Sequence, residues 1–150
     1  MMMHSRQLRL DDQLCFALYA ATNAVTRAYR PFLNNLNLTY PQYLVMLVLW
    51  QDGPSSHGQI ANRLKLSQNA ITPLVDRLVA QGFAERTRKE SDRRVVTVQA
   101  TQEGLDLEGS VSLAQQSVEC QTGFHPDALA QIRDELIALA DRMEQENAKT

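Results

Sequence analysis

Residues 67–101 read SQNAITPLVDRLVAQGFAERTRKESDRRVVTVQAT, and the pattern changes period halfway through. Up to Ala80 the apolar residues Ile71, Leu74, Val75 and Leu78 recur at helical spacing, with Ser67 as N-cap and Gly82 as the stop. Pro73 lies inside this helix, where it removes one backbone hydrogen bond. After Gly82 come two short runs, FAERTR and VVTVQAT, joined by the charged KESDRR. Their β-branched content and the polar joint predict a hairpin with KESDRR at its tip.

Upstream, SSHGQIANRLKLS has Ser56 and Gln59 at capping-box spacing before Ile60, Ala61 and Leu64, which predicts a short helix. TYPQYLVMLVLW starts another, with Thr39 and Gln42 as its capping box, Pro41 in the first turn and Gly53 as the stop. Still earlier, Asp11 or Asp12 can cap a helix carrying two apolar stripes. One is Leu14, Leu18, Ala21, Val25 and Phe32; the other is Cys15, Tyr19, Thr22, Thr26 and Tyr29. Two stripes imply two partners, its own core and a second subunit, and Pro31 should kink this helix or end it nearby. Downstream, Thr101 caps QEGLDLEGSVSLAQQSVEC. After the break TGFHP, a last helix from about Pro126 aligns Leu129, Ile132, Leu136, Leu139 and Met143.

The order is therefore helix, helix, short helix, helix, hairpin, helix, helix. That is a mainly α fold with a small β-hairpin wing. Two short helices joined by a tight turn and followed by a charged hairpin make a winged helix-turn-helix. Its second short helix has the width the DNA major groove admits, and the residues at its start reach base edges. Here those are Ser67, Gln68, Asn69 and Thr72, polar side chains that donate and accept. Arg77, with Arg86, Arg88 and Arg93 of the hairpin, is placed for phosphates. Asp92 and Arg94 sit two apart, so the carboxylate can steady an arginine that enters the minor groove. Asp76 puts an acid in the same helix, where a basic or neutral residue would suit DNA better.

Charge supports this reading. The chain carries a net −2, yet Arg63–Arg94 holds eight basic and four acidic residues, leaving the remainder strongly acidic. Segregation of this kind suits one face to a polyanion and keeps the rest solvated. At 150 residues, with 44% hydrophobic and 21% charged side chains, the chain is expected to be a single globular domain. Its longest apolar run, YLVMLVLW, is well short of the ~18 residues of a membrane span. The start MMMHSRQLRL shows no secretory signal, so a cytoplasmic location is expected. His4, His57 and His125 lack metal-ligand spacing, and neither a cofactor motif nor a catalytic acid–base or Ser–His arrangement is present. An enzyme is not expected.

The segment LKLSQNAITPLVDRLVAQGFAERTRKESDRRVVTVQATQEG resembles the centre of MarR-family repressors, including their D-x-R wing motif at Asp92, Arg93 and Arg94. The flanking helices follow the same plan, so the resemblance covers nearly the whole chain, 1–150. It implies a homodimer entwined through its first and last helices, about 11–36 and 102–147. The winged helix-turn-helix, about 39–100, would bind a pseudo-palindromic double-stranded operator.

LDDQLCFALYAA, RAYRPFL and LTYPQYLVMLVLW further resemble the organic-hydroperoxide-sensing, OhrR-like branch. That resemblance implies that Cys15 is the peroxide-reactive thiol, with Tyr29, Tyr40 and nearby Tyr19 around it. Cys120 matches the second cysteine of the two-cysteine subtype, in which oxidation ends in an intersubunit disulfide. The chemistry is coherent: a helix N-terminus favours the reactive thiolate, tyrosine hydroxyls can donate to it, and a neighbouring thiol converts sulfenic acid to a disulfide. The aspartates nearby oppose the thiolate. Three other readings stay open on the residues alone: release by a phenolic or other small ligand, a thiol peroxidase, and a winged helix used for protein contacts.

Overall fold

The computed structural model describes residues 8–149. The elements are α1 (Leu14–Asn35), α2 (Tyr40–Asp52), α3 (His57–Leu64), α4 (Gln68–Ala80), β1 (Ala84–Lys89), β2 (Asp92–Ala100), α5 (Gln102–Gln121) and α6 (Pro126–Ala148). The fold is the mainly helical winged helix-turn-helix that the sequence predicts. Two compact units divide between Ala114 and Gln115.

The core of the first unit is built by α2, α3 and α4 and closed by the hairpin. Val45, Met46, Ile60, Ile71, Val75, Leu78 and Val98 are fully buried in it. Helix α2 is apolar on nearly every side, as a helix at the centre of a packed unit must be. Both expected capping boxes form. Thr39 Oγ1 accepts from the Gln42 amide at 3.4 Å while Gln42 Oε1 accepts from the Thr39 amide at 3.0 Å. Ser56 and Gln59 repeat the exchange at 3.1 and 2.8 Å. Between α3 and α4 the tight turn passes through Lys65 in the left-handed region, φ 58°, where an L-residue pays a small strain that tertiary packing holds.

The hairpin is antiparallel, with Thr87 opposite Thr97 and Arg86 opposite Val98. Its strands run further than expected: β1 reaches Lys89 and β2 begins at Asp92, so the turn is only Glu90–Ser91 rather than the whole of KESDRR. Charged side chains do not prevent pairing in an exposed ribbon whose backbone bonds need no buried face. Ser55 adds a one-residue bridge to β2, exchanging both backbone bonds with Val98 at 2.9 and 2.8 Å.

The first helix needs one correction. Asp11 and Asp12 do not cap it; they lie in a separate 3-10 turn, Leu10–Asp12, and the N-cap is Gln13, without a side-chain cap bond. Pro31 lies inside the helix, which ends nearby at Asn35, and buried Tyr29 and Leu33 anchor the turns on either side of it. Of its two stripes, the first is open at Leu14, 63% exposed, and Val25, 38%, while the second is buried at Tyr29.

In the second unit, α6 is capped by His125, whose Nδ1 accepts from the Asp127 amide at 3.2 Å. No described residue of α6 is buried, and its stripe residues Ile132, Leu136 and Met143 are open in the isolated chain.

Candidate nucleic-acid interface

The start of α4 is presented by its cap. Ser67 Oγ accepts from the Ala70 amide at 3.3 Å, which leaves Gln68 and Asn69 exposed on the first turn. Thr72 is exposed too, but its hydroxyl donates back to the Gln68 carbonyl at 3.2 Å. The opposite face of the helix holds Ile71, Val75 and Leu78 in the core, so the polar face is fixed outward. Arg77 lies exposed one turn before the end.

An open groove of about 630 Å³ runs between this helix and the wing, lined by Ser56, His57, Gln68, Arg86, Arg88 and Arg94 among others. Arg86 is the centre of a three-element bridge. Its Nη2 donates to the Asp76 carboxylate of α4, and its Nε donates to His57 Nε2 of α3 at 3.4 Å. Asp76 is therefore a partner of the wing rather than an acid aimed at the groove alone. His57 is held below its ordinary titration range, mainly by burial and then by the Arg86 charge, with Asp76 opposing.

At the tip, Asp92 Oδ1 accepts from both the Arg94 amide at 3.1 Å and Arg94 Nε at 3.2 Å. The Arg94 side chain is otherwise 92% exposed, so the carboxylate orients a projecting cation. Arg88 Nη1 donates to the Arg93 carbonyl at 2.7 Å, tying the two strands where their register shifts. Of the expected contact residues, Gln68, Arg86, Arg88 and Arg94 line one groove, while Ser67, Asn69, Thr72, Arg77, Asp92 and Arg93 are not among its lining residues.

Cys15 occupies the first turn of α1 and is a free, exposed thiol; Cys120 is free and exposed near the end of α5. Tyr29 and Tyr40 pack together, ring centroids 5.7 Å apart, and Tyr43 completes a mutual triangle at 5.4 and 5.7 Å. Burial raises the Tyr40 hydroxyl above its usual pKa. Tyr19 lies outside this cluster, 66% exposed. Two residues of importance here escaped the sequence reading. Tyr43 was legible as the position one turn beyond Tyr40, and His57 had been weighed only as a metal ligand. Among the described residues no cluster of three or more His, Cys, Asp or Glu could hold a metal ion, and no helix is long and apolar enough to cross a membrane. His4 and the start read for a signal lie largely outside the described residues.

A recognition helix, a charged wing and a basic groove between them define a winged-helix DNA-binding protein. The chain belongs to the MarR family, whose sequence pattern matches residues 38–96. It is 42% identical over 134 residues to the HTH-type transcriptional regulator TtmR of Methylorubrum extorquens, covering 89% of this chain and 69% of that one. It is 34% identical over 148 residues to the organic hydroperoxide resistance transcriptional regulator of Bacillus subtilis, covering 93% and 95%. AbfR of Staphylococcus epidermidis superposes with a TM-score of 0.79 at 32% identity, covering 96% and 99%. AbfR has also been solved in a reduced form bound to DNA and in a disulfide-formed state. The chain is thus a MarR-family DNA-binding transcriptional regulator; its family and curated relatives are regulators, not enzymes.

Proposed function

We propose that this regulator is a redox-sensing repressor that leaves its operator when Cys15 is oxidised by an organic hydroperoxide. The observation that carries the proposal is the placement of Cys15, an exposed thiol in the first turn of a helix whose flanking apolar residues are uncovered. The B. subtilis relative named for organic hydroperoxide resistance supports the signal, and the disulfide-formed AbfR supports the chemistry.

Two copies dimerise through α1, α5 and α6, which accounts for the uncovered stripes Leu14, Val25, Ile132, Leu136 and Met143. Each copy offers one α4 to one half-site of a pseudo-palindromic duplex. Ser67, Gln68, Asn69 and Thr72 read base edges, Arg77, Arg86, Arg88 and Arg93 engage phosphates, and Asp92 presents Arg94 to the minor groove. Tyr29 and Tyr40 of one subunit, with Tyr19, form the apolar, hydroxyl-bearing surroundings of the partner's sensing thiol.

The Cys15 thiolate attacks the terminal oxygen of the hydroperoxide; the O–O bond breaks, the alcohol leaves with a proton, and Cys15 becomes a sulfenic acid. The Cys120 thiolate of the other subunit then attacks that sulfur, and the sulfenic oxygen leaves as water when the disulfide closes. A disulfide needs sulfurs ~2 Å apart, so closing it constrains the dimer helices and changes the spacing of the two recognition helices.

The test is a gel-shift titration on operator-like DNA before and after cumene hydroperoxide, then after dithiothreitol, with non-reducing electrophoresis of the same samples. Loss of binding together with a covalent dimer, both reversed by reductant, supports the proposal. Binding that survives peroxide overturns the redox mechanism and leaves a MarR-family regulator of another signal.

A further inference from the structure

The bridge at the bottom of the groove has a group whose charge is not fixed. Arg86 Nε carries a hydrogen and can only donate, so His57 Nε2, 3.4 Å away, must present a lone pair, and the ring is neutral with its proton on Nδ1. His57 is the first residue of α3, the leading helix of the helix-turn-helix, which in such units crosses the DNA backbone. It lies half-buried in the wall of the groove, beside Gln68 of the recognition helix.

We propose that His57 is a phosphate-contacting residue of the DNA interface and that it takes up a proton from solvent when a backbone phosphate enters the groove. The inference rests on reading that groove as the DNA-facing one. The charged groups that act on the imidazole are Arg86 from β1 and Asp76 from α4, while Arg88 of β1 and Arg94 of β2 line the same groove. Burial and the adjacent Arg86 guanidinium disfavour a positive charge on the ring in the free protein, and Asp76, itself engaged by Arg86, opposes them only in part. A phosphate reverses that balance. With an anion in the groove, an imidazolium donates to it, and the Arg86 guanidinium keeps Asp76 as its partner.

The direction of the pH effect follows. Burial and Arg86 hold free His57 low, the bound polyanion raises it, and the complex therefore binds more protons than the free protein. Affinity for DNA must then rise as pH falls through the interval between the two midpoints, by at most tenfold per pH unit for each His57 engaged. Exposed His125, at the start of α6, is outside the groove and serves as the internal control.

The experiment is a fluorescence anisotropy titration of the reduced full chain on a random-sequence duplex, from pH 8 to pH 6 at constant ionic strength. A random duplex suffices because a phosphate contact carries no sequence information. The expected result is several-fold tighter binding at the acidic end, a flatter profile in His57→Gln and an unaltered one in His125→Gln. Glutamine keeps an acceptor for Arg86 and cannot titrate. In parallel, the imidazole proton resonance of His57 should titrate at a higher midpoint in the DNA complex than in the free chain, a measurement that needs no variant. Binding that is intact but independent of pH, a slope that persists in His57→Gln, or a midpoint unmoved by DNA overturns the inference alone. Absence of any DNA binding across the range overturns the reading of the groove and the inference with it.

Discussion

Asp76 of the recognition helix and Arg86 of the first wing strand form an ion pair that ties the two DNA-facing elements together. Both side chains are partly exposed, 58% and 31%, so the pair contributes little to stability, ~0–1 kcal/mol. Its role is to fix where Arg86 points. Asp76→Asn is expected to leave thermal stability nearly unchanged while removing a negative charge beside the groove. Affinity for random duplex DNA should rise a few-fold, and discrimination in favour of the operator should fall. Anisotropy titrations on both duplexes at two salt concentrations check this; unchanged discrimination would show that the pair does not orient Arg86.

Arg94 projects from the wing with Asp92 steadying it. Arg94→Ala should weaken operator binding by about tenfold or more, in line with ~1–3 kcal/mol for a well-placed contact, and lower the salt slope by about two, one for each subunit of the dimer. Asp92→Ala should cost less, because the cation survives and loses only its orientation. Equal losses in the two variants would mean that Asp92 acts on the turn itself.

The junction between wing and α5 is closed by a small network in which the expected cap at Thr101 forms and is joined by contacts distant in sequence. Thr101 Oγ1 donates to the Gly82 carbonyl at 2.6 Å and accepts from the Gly104 amide at 3.1 Å, and Trp50 Nε1 donates to the Gly104 carbonyl at 2.9 Å. A Cβ on Gly104 would collide with the Phe83 carbonyl oxygen, a backbone atom with nowhere to retreat. Gly104→Ala should therefore destabilise by about 1–3 kcal/mol or more, the range for overpacking, whereas Trp50→Phe should lose about 1 kcal/mol for one hydrogen bond. Urea unfolding followed by far-UV dichroism distinguishes them; a Gly104→Ala chain as stable as wild type would mean that the junction opens freely.

What was legible follows from where the determinants lie. The capping boxes at Thr39 and Ser56, the cap at Ser67 and the core face of Ile71, Val75 and Leu78 are local patterns, and the structure keeps each of them. The basic character of the groove was legible for the same reason, since the arginines cluster in one stretch of chain. The bridge from Asp76 through Arg86 to His57 was not, because it joins residues 10 and 29 positions apart on three elements. The apolar stripe of α1 shows a different gap: its spacing marks a buried face, yet spacing does not say which surface covers it. Leu14 and Val25 are left uncovered by their own chain.

The proposed sensing thiol, Cys15, lies on the second stripe of α1, next in sequence to the uncovered Leu14, and is itself exposed. Cys15→Ser keeps the size of the side chain and every DNA-facing group, so it should bind the operator with unchanged affinity and remain bound after cumene hydroperoxide. Cys120→Ser should still be released, but its sulfenic acid has no thiol to capture it and should pass more readily to sulfinic acid, which dithiothreitol does not reverse. Intact mass spectrometry reads the two fates as the gain of one oxygen or two, and gel shift reads the release. A Cys15→Ser protein freed from DNA at the same peroxide concentration as wild type would place the sensor elsewhere, and the tyrosine triangle of Tyr29, Tyr40 and Tyr43 would then have no thiol to serve.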